Sequence, residues 1–146
     1  MKLSIASDHA GFEQKQQLAE YLRNLGHEVL DRGPDSDDRV DYPDFAELVA
    51  RDVAEGVAER GVLVCGTGIG MAVAANKIDG IRAANVTTPE FAALSREHND
   101  ANIVTVSGRF VALEENERIM DAFIETEFGG GRHAGRVQKI MDLERK

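Results

Sequence analysis

Short apolar runs alternate with longer segments of helical periodicity along this chain. Alternating strands and helices pack as a parallel sheet with helices on both faces. The alternation therefore predicts a Rossmann-like three-layer sandwich around a five-stranded parallel sheet. The predicted strands are residues 3–7, 28–30, 62–65, 81–86 and 103–106. The predicted helices are residues 12–25, 45–57, 70–77, 89–98, 113–127 and 132–144. Asp44 is a plausible N-cap of the second helix, and Leu25 shares one face of the first with Leu18 and Leu22.

The bulk properties limit the class of protein. A chain of 146 residues suits one domain, 1–146. One cysteine cannot form an intramolecular disulfide, and we expect neither a signal peptide nor a membrane span, so the expected location is cytoplasmic. The net charge of −9 argues against nucleic-acid and membrane partners, but a local arginine cluster could still bind a small anion.

Ligands of open parallel sheets bind beyond the carboxyl ends of the strands. Asp8 and His9 follow the first predicted strand, Cys65 ends the third, and Arg109 follows the fifth. Asp8 and His9 suit binding of a substrate hydroxyl or phosphate. The alternative is that Asp8 only caps the first helix and His9 is incidental.

The glycine loop, residues 66–70, reads Gly-Thr-Gly-Ile-Gly. Its spacing fits neither a dinucleotide fingerprint, because Met71 stands where the third glycine is needed, nor a phosphate-binding P-loop. Such a loop brings backbone N–H groups close to a ligand and favours negative charge there. The alternative is a tight turn with no ligand.

Three further candidates have competing interpretations. Cys65 as a thiolate could be a base or nucleophile, or it could be a small buried hydrophobic residue. His98 could be a general acid or base, or it could complete an apolar face with Phe91 and Leu94. Arg132 and Arg136 lie four apart on one helical face, which suits a phosphate but also a solvated basic edge.

Metal binding is not expected from the sequence. The acidic loop 31–44 departs from the calcium-loop pattern at Arg39, and no cysteine–histidine cluster has zinc spacing. We therefore expect neither a metal nor another cofactor.

Six sequence blocks together resemble the ribose-5-phosphate isomerase B family, which includes the subunits of galactose-6-phosphate isomerase. The resemblance runs from Met1 to about Ile140. The blocks are SDHAG at 7–11, DYPD at 41–44, CGTGIGMAVAANK at 65–77, GIRA at 80–83, SREHNDANI at 95–103 and GGRHAGRV at 130–137.

The resemblance implies an aldose–ketose isomerase with named roles. Cys65 would move the proton between C1 and C2, and His98 would help to open the sugar ring. Asp8 and Asn99 would bind the substrate hydroxyls. The enediolate oxygens would be bound by the glycine loop, Gly66, Thr67, Gly68, Ile69 and Gly70, in which Thr67 would also be a catalytic residue. The other contacts to substrate would come from His9, Arg109, Arg132 and Arg136, and the arginines would chiefly bind its phosphate end.

The resemblance also implies a substrate and an assembly. Met71 cannot replace the glutamate base of another branch of the family, so the chain resembles the cysteine type, and His9 favours a pentose or hexose phosphate. We predict interconversion of ribose 5-phosphate and ribulose 5-phosphate, with galactose 6-phosphate, allose 6-phosphate or a non-catalytic phosphosugar sensor as alternatives. Family members are homodimers or larger, such as tetramers, with sites between subunits and a last helix that reaches the partner.

Overall fold

The computed structural model describes residues 1–145 and contains the predicted five-stranded parallel sheet, in the order β2-β1-β3-β5-β4. The strands are β1 (Lys2–Ser7), β2 (Glu28–Asp31), β3 (Arg60–Cys65), β4 (Ala83–Asn85) and β5 (Ile103–Ser107). The helices are α1 (Phe12–Asn24), α2 (Tyr42–Ala54), α3 (Ile69–Ala75), α4 (Pro89–Asn99), α5 (Leu113–Glu125) and α6 (Arg132–Asp142), followed by a short 3-10 turn, Leu143–Arg145.

Helices cover both faces of the sheet. On one face, α1, α4 and α5 pack over a cluster that includes Leu22, Val104 and Phe123. On the other face, α2 and α3 pack over a cluster that includes Val49 and Leu63. Because both faces are covered, the three central strands, β1, β3 and β5, are buried along almost their whole length. The Rossmann-like three-layer prediction is therefore confirmed.

Several predicted boundaries and details were wrong. The second helix begins at Tyr42 with Asp41 as its N-cap, because Pro43 fits the first turn of a helix; Asp44 lies inside that turn. The fourth strand is shorter than predicted, because the Ile81 N–H donates to Ile78 within a turn and the Arg82 N–H donates to the Asn102 side chain instead of to a strand. Leu25, predicted as the last residue of the first helix, lies just after its end as the C-cap and is exposed, unlike the buried Leu18 and Leu22.

Glycines let α1 and the loop after β5 approach the centre of the sheet. A Cβ at Gly11 would lie 2.6 Å from the Val64 carbonyl oxygen, and a Cβ at Gly108 would lie 3.1 Å from the Gly11 Cα. The beginning of α1, the end of β3 and the loop after β5 are therefore in direct contact. Within residues 1–145, no helix has both the length and the apolar character that crossing a membrane requires.

Candidate active site

The three central strands end side by side at the carboxyl edge of the sheet. Cys65 of β3 is in register with Ser107 of β5. The Asp8 N–H donates to the Val64 carbonyl at 3.1 Å, and the Gly108 N–H donates to the Cys65 carbonyl at 2.9 Å. These bonds place the residues after β1, β3 and β5 next to one another, as the carboxyl-edge rule predicts.

Cys65 is buried at the mouth of the glycine loop. The Gly68 N–H donates to the Cys65 Sγ at 3.0 Å. Gly68 adopts a left-handed φ of 84°. A Cβ there would clash with the Asn85 Nδ2 and would lie 3.0 Å from the Val106 backbone. Only glycine fits this position without strain. The left-handed conformation of Gly68 lets its N–H point at the Cys65 Sγ.

The glycine loop presents backbone donors. The Ile69 N–H is used internally, donating to the Thr67 Oγ1 at 3.1 Å. By contrast, the N–H groups of Gly66, Thr67 and Gly70 find no protein acceptor among residues 1–145. The side chains of Thr67 and Ile69 are exposed beside them. Open N–H groups next to a thiol can stabilise an oxyanion that forms near the sulfur.

Asp8 and His9 form the side of the site that follows β1. The buried Asp8 carboxylate accepts from the Gly11 N–H at 3.0 Å, which secures the turn into α1. The N-cap of α1 is Gly11, so Asp8 is not the helix N-cap. The His9 Nδ1 accepts from the Val40 N–H at 3.3 Å, which assigns the ring proton to Nε2 and makes that nitrogen a donor.

Arg109 covers the glycine loop from the side of β5. Its N–H donates to the Gly66 carbonyl at 3.3 Å. A Cβ at Gly66 would lie 3.5 Å from the Arg109 Nη1, so the guanidinium lies over the loop. In the part of the chain that the structure describes, no carboxylate pairs with this guanidinium. It is therefore available to an anion.

Tyr42 also lines the site, although the sequence analysis did not include it among the site residues. A Cβ at Gly70 would lie 2.7 Å from the Tyr42 Cε1, so the ring rests directly on the glycine loop. Tyr42 belongs to the DYPD block of the family resemblance, and that block is the sequence signal that could have identified it as a site residue. Its contact with Gly70 depends on how α2 packs against α3, and a sequence pattern does not give that packing.

His98 and Asn99 lie at the opposite edge of the sheet. They end α4, which runs back from β4 toward the beginning of β5. The next residue, Asp100, has a left-handed φ of 49°, and its carboxylate accepts from the Arg96 Nη1 at 2.9 Å and the Arg82 Nη2 at 3.4 Å. These ion pairs hold the end of α4 in one conformation.

The His98 ring stacks on the His133 ring of α6, with centroids 4.4 Å apart. The interpretation of His98 as part of an apolar face is not supported, because Phe91 and Leu94 are exposed. Burial, together with His98, Arg132 and Arg136, lowers the pKa of His133 below its ordinary value, and Glu97 opposes this. Neutral His133 is therefore the favoured form in the stack.

Helix α6 lies along the amino edge, and both of its ends are attached there. Before the helix, the Gly129 N–H donates to the Glu97 carbonyl at 2.9 Å; after it, the Gly80 N–H donates to the Glu144 carboxylate at 2.7 Å. Arg132 and Arg136 are exposed on this helix. Neither guanidinium forms an ion pair with any residue in the range 1–145.

The site residues implied by the resemblance thus form two groups on one chain. The carboxyl-edge group is Asp8, His9, residues 65–70 and Arg109; the amino-edge group is His98, Asn99, Arg132 and Arg136. The six residues of β3 separate the two edges by about 16 Å. One sugar phosphate cannot contact both groups of the same chain.

A cavity of about 620 Å³ lies at the amino edge between α6, the end of α4 and the beginning of β4. Asn99, Arg82 and Ile140 line it, but no residue of the glycine loop does. The open N–H groups and the thiol lie at the other edge of the sheet, the carboxyl edge. Among residues 1–145, no group of three or more metal-ligating side chains is arranged to hold a metal ion.

Known proteins resemble this chain over nearly its whole length. The family model described as Ribose/Galactose Isomerase matches residues 3–140. The ribose-5-phosphate isomerase B of Escherichia coli is 43% identical over 145 residues, which cover 99% of this chain and 97% of that protein.

Solved structures agree with the sequence comparison. The ribose-5-phosphate isomerase B of Clostridium thermocellum has a TM-score of 0.98 and 48% identity, covering 99% of this chain and 98% of that one. The Mycoplasma genitalium ribose-5-phosphate isomerase B, with bound ribulose-5-phosphate, has a TM-score of 0.95 and 44% identity, covering 99% and 97%. The chain therefore belongs to the ribose/galactose isomerase family.

Proposed function

We propose that this chain is an aldose–ketose isomerase that interconverts ribose 5-phosphate and ribulose 5-phosphate. The observation that carries the proposal is the position of the Cys65 Sγ, 3.0 Å from the Gly68 N–H and beside the open N–H groups of the glycine loop. A base next to oxyanion donors is what proton transfer between adjacent carbons requires. The similarity to ribose-5-phosphate isomerases B, one of them with bound ribulose-5-phosphate, supports this substrate.

The reaction uses the carboxyl-edge group. The Cys65 thiolate removes the proton from C2 of the open-chain aldose, and the electron pair forms the C1–C2 double bond while O1 becomes an oxyanion. The open N–H groups of residues 66, 67 and 70 stabilise that enediolate oxygen. The same sulfur returns the proton to C1, and the O2 proton is transferred to O1, which leaves a hydroxyl at C1 and the ketone at C2. The buried Cys65 suits the cysteine type of the family.

The other residues bind and orient the sugar phosphate. The Asp8 carboxylate accepts a hydrogen bond from a substrate hydroxyl. The His9 Nε2–H donates a hydrogen bond to an anionic oxygen of the substrate. Arg109 approaches from the side of β5, where its guanidinium has no internal partner. Binding energy from a remote phosphate orients the reacting carbons.

A second copy of the chain completes each site in this proposal. His98, which would assist ring opening, and Asn99, Arg132 and Arg136 would come from the partner's amino edge, since their own edge lies about 16 Å from Cys65. A two-fold arrangement would place each carboxyl-edge group against the other copy's amino-edge group. Exposed apolar residues at both edges suit burial there: Ile69 and Val73 on α3, Ile140 on α6 and Leu143 after it.

The isomerase assay tests the proposal. Purified protein should convert ribose 5-phosphate to ribulose 5-phosphate with a higher kcat/KM than it shows for galactose 6-phosphate or allose 6-phosphate. In D2O the ketose should carry deuterium at C1. Binding of the phosphosugar without conversion or deuterium uptake would instead identify a sensor. A single domain spanning 1–146, a cytoplasmic location and service in pentose phosphate metabolism remain predictions.

A further inference from the structure

The segment that carries Arg109 is held by side chains from α1 and α5, two helices that are far apart in the sequence but meet at this segment. We call residues 107–111 the Arg109 segment. Its two central side chains do not anchor it, because Arg109 is exposed and Phe110 is 74% exposed. The position of the guanidinium therefore depends on what holds the backbone on either side.

Gln14 of α1 holds the Arg109 segment at both ends. Its Nε2 donates to the Gly108 carbonyl at 3.2 Å and to the Val111 carbonyl at 2.7 Å. The two carbonyls flank Arg109 and Phe110. Because both acceptors require the NH2 group, the amide can take only one orientation, with its oxygen turned toward α5.

Asn116 of α5 completes the contact and is fully buried. Its Nδ2 donates to the Gln14 Oε1 at 2.7 Å and to the Ser107 carbonyl at 2.9 Å. The Asn116 Oδ1 has no protein partner within residues 1–145. If the Asn116 amide were flipped, its Oδ1 would face the Gln14 Oε1 and the Ser107 carbonyl oxygen, and both hydrogen bonds would be lost. The observed orientation therefore keeps the two donated bonds and leaves Oδ1 without a partner.

The held segment is also bonded to the glycine loop. The Ser107 Oγ donates to the Gly66 carbonyl at 2.7 Å and accepts from the Phe110 N–H at 2.9 Å. The backbone of Gly108 is bonded to Cys65. A side chain that fixes residues 107–111 therefore also fixes the position of the Arg109 backbone relative to Cys65.

We propose that Gln14 and Asn116 are positioning residues that hold Arg109 in place to receive the substrate phosphate, an inference that rests on the proposed function. They act through the backbone of the Arg109 segment and touch no substrate. Misplacement of a binding group by about an ångström is enough to weaken a site strongly.

The test is Gln14→Met, which keeps the length of the side chain but removes both donated bonds and the bond accepted from the Asn116 Nδ2. We expect KM for ribose 5-phosphate to rise about 5- to 20-fold while kcat stays within about twofold, because the base and the glycine loop are unchanged. Tyr21→Phe is the matched control. It removes the bond from the Tyr21 hydroxyl of α1 to the Asp121 carboxylate of α5, at 2.7 Å, and leaves the Arg109 segment untouched.

A double-mutant cycle separates positioning from general destabilisation. Combined with Arg109→Ala, Gln14→Met should raise KM by less than about twofold further, because the residue it positions is already absent. An undiminished rise in that background, an equal rise in Tyr21→Phe, or no rise in Gln14→Met would overturn the inference. Unchanged KM in Arg109→Ala alone would instead overturn the phosphate role of Arg109, and a parent without isomerase activity would overturn the proposed function.

Discussion

The two edges of the sheet hold their site residues in different ways. At the carboxyl edge, bonds between the backbones after β1, β3 and β5 and the close approach of glycines fix the backbone of the site, and Cys65 and Asp8 are buried. At the amino edge, His98 rests on a single ring stack, and Arg132 and Arg136 extend from an exposed helical face. One edge is preformed within a chain, whereas the other presents its groups outward.

This difference suggests a division of labour. Chemistry that depends on the placement of a base and oxyanion donors belongs where the backbone is fixed. Groups that bind the substrate phosphate or help to open the sugar ring can be supplied by a second copy of the chain, provided that their own helix holds them.

Replacing the base should have the largest effect. Cys65→Ala removes the only thiol, and kcat should fall roughly 100- to 10,000-fold, the range for a lost general base. The change is small, so the thermal midpoint should move little. Steady-state rates with ribose 5-phosphate measure the loss, and circular dichroism checks the fold. Full activity in this variant would show that Cys65 is not the base.

The conformation of the glycine loop can be tested with two glycines of positive φ. Gly68→Ala introduces a Cβ at φ 84° against the Val106 backbone, and it should destabilise the protein by roughly 2–4 kcal/mol and reduce activity. Gly56→Ala, at φ 79° with no atom within 4 Å of the added Cβ, should lose only about 1 kcal/mol and keep its activity. Urea unfolding measures both; equal losses would contradict a tightly packed loop.

Removal of the exposed arginines should weaken binding without weakening the fold. Arg132→Ala and Arg136→Ala should each raise KM about tenfold, because each would remove a charge-assisted bond to phosphate. Lys139→Ala makes the same change of charge on the same exposed helix and should leave KM unchanged. An equal rise in all three variants would indicate a general electrostatic effect instead of a phosphate contact.

The histidine stack should give a small pH dependence of stability. The pKa of His133 is lowered in the folded chain, so the unfolded chain binds more protons between the two pKa values. The contribution is fully present above the unfolded pKa of about 6.5 and is lost as pH falls from there toward the folded pKa. His133→Gln should flatten this part of a curve of unfolding free energy between pH 5 and 8. A curve identical to that of the parent would contradict the shift.

The sequence predicted the carboxyl edge better than the amino edge for a physical reason. Strand ends in a parallel sheet converge, so locating β1, β3 and β5 already brought Asp8, Cys65 and Arg109 together. Nothing in the periodicity showed that His133 would stack on His98 or that Tyr42 would rest on Gly70. Those contacts arise from how helices pack, and each depends on residues far apart in the chain.

The Asp44 error is local, whereas the residues that the sequence did not single out again depend on packing. Asp44 looked like a helix N-cap because it precedes the apolar periodicity, but Pro43 allows the helix to begin earlier. Gln14 and Asn116 were ordinary polar positions of two helices in the sequence. Only the packed structure places their amides against one loop, 102 residues apart in the chain.

Complementation between two inactive variants tests the central claim most directly. One chain would carry Cys65→Ala, and the other would carry His98→Ala, Arg132→Ala and Arg136→Ala, with different tags so that mixed assemblies can be purified after co-expression. If each site combines the carboxyl edge of one copy with the amino edge of another, a hybrid dimer contains one intact site and should recover about half of the wild-type rate. A hybrid no more active than its parents would place each site within a single chain and contradict the account.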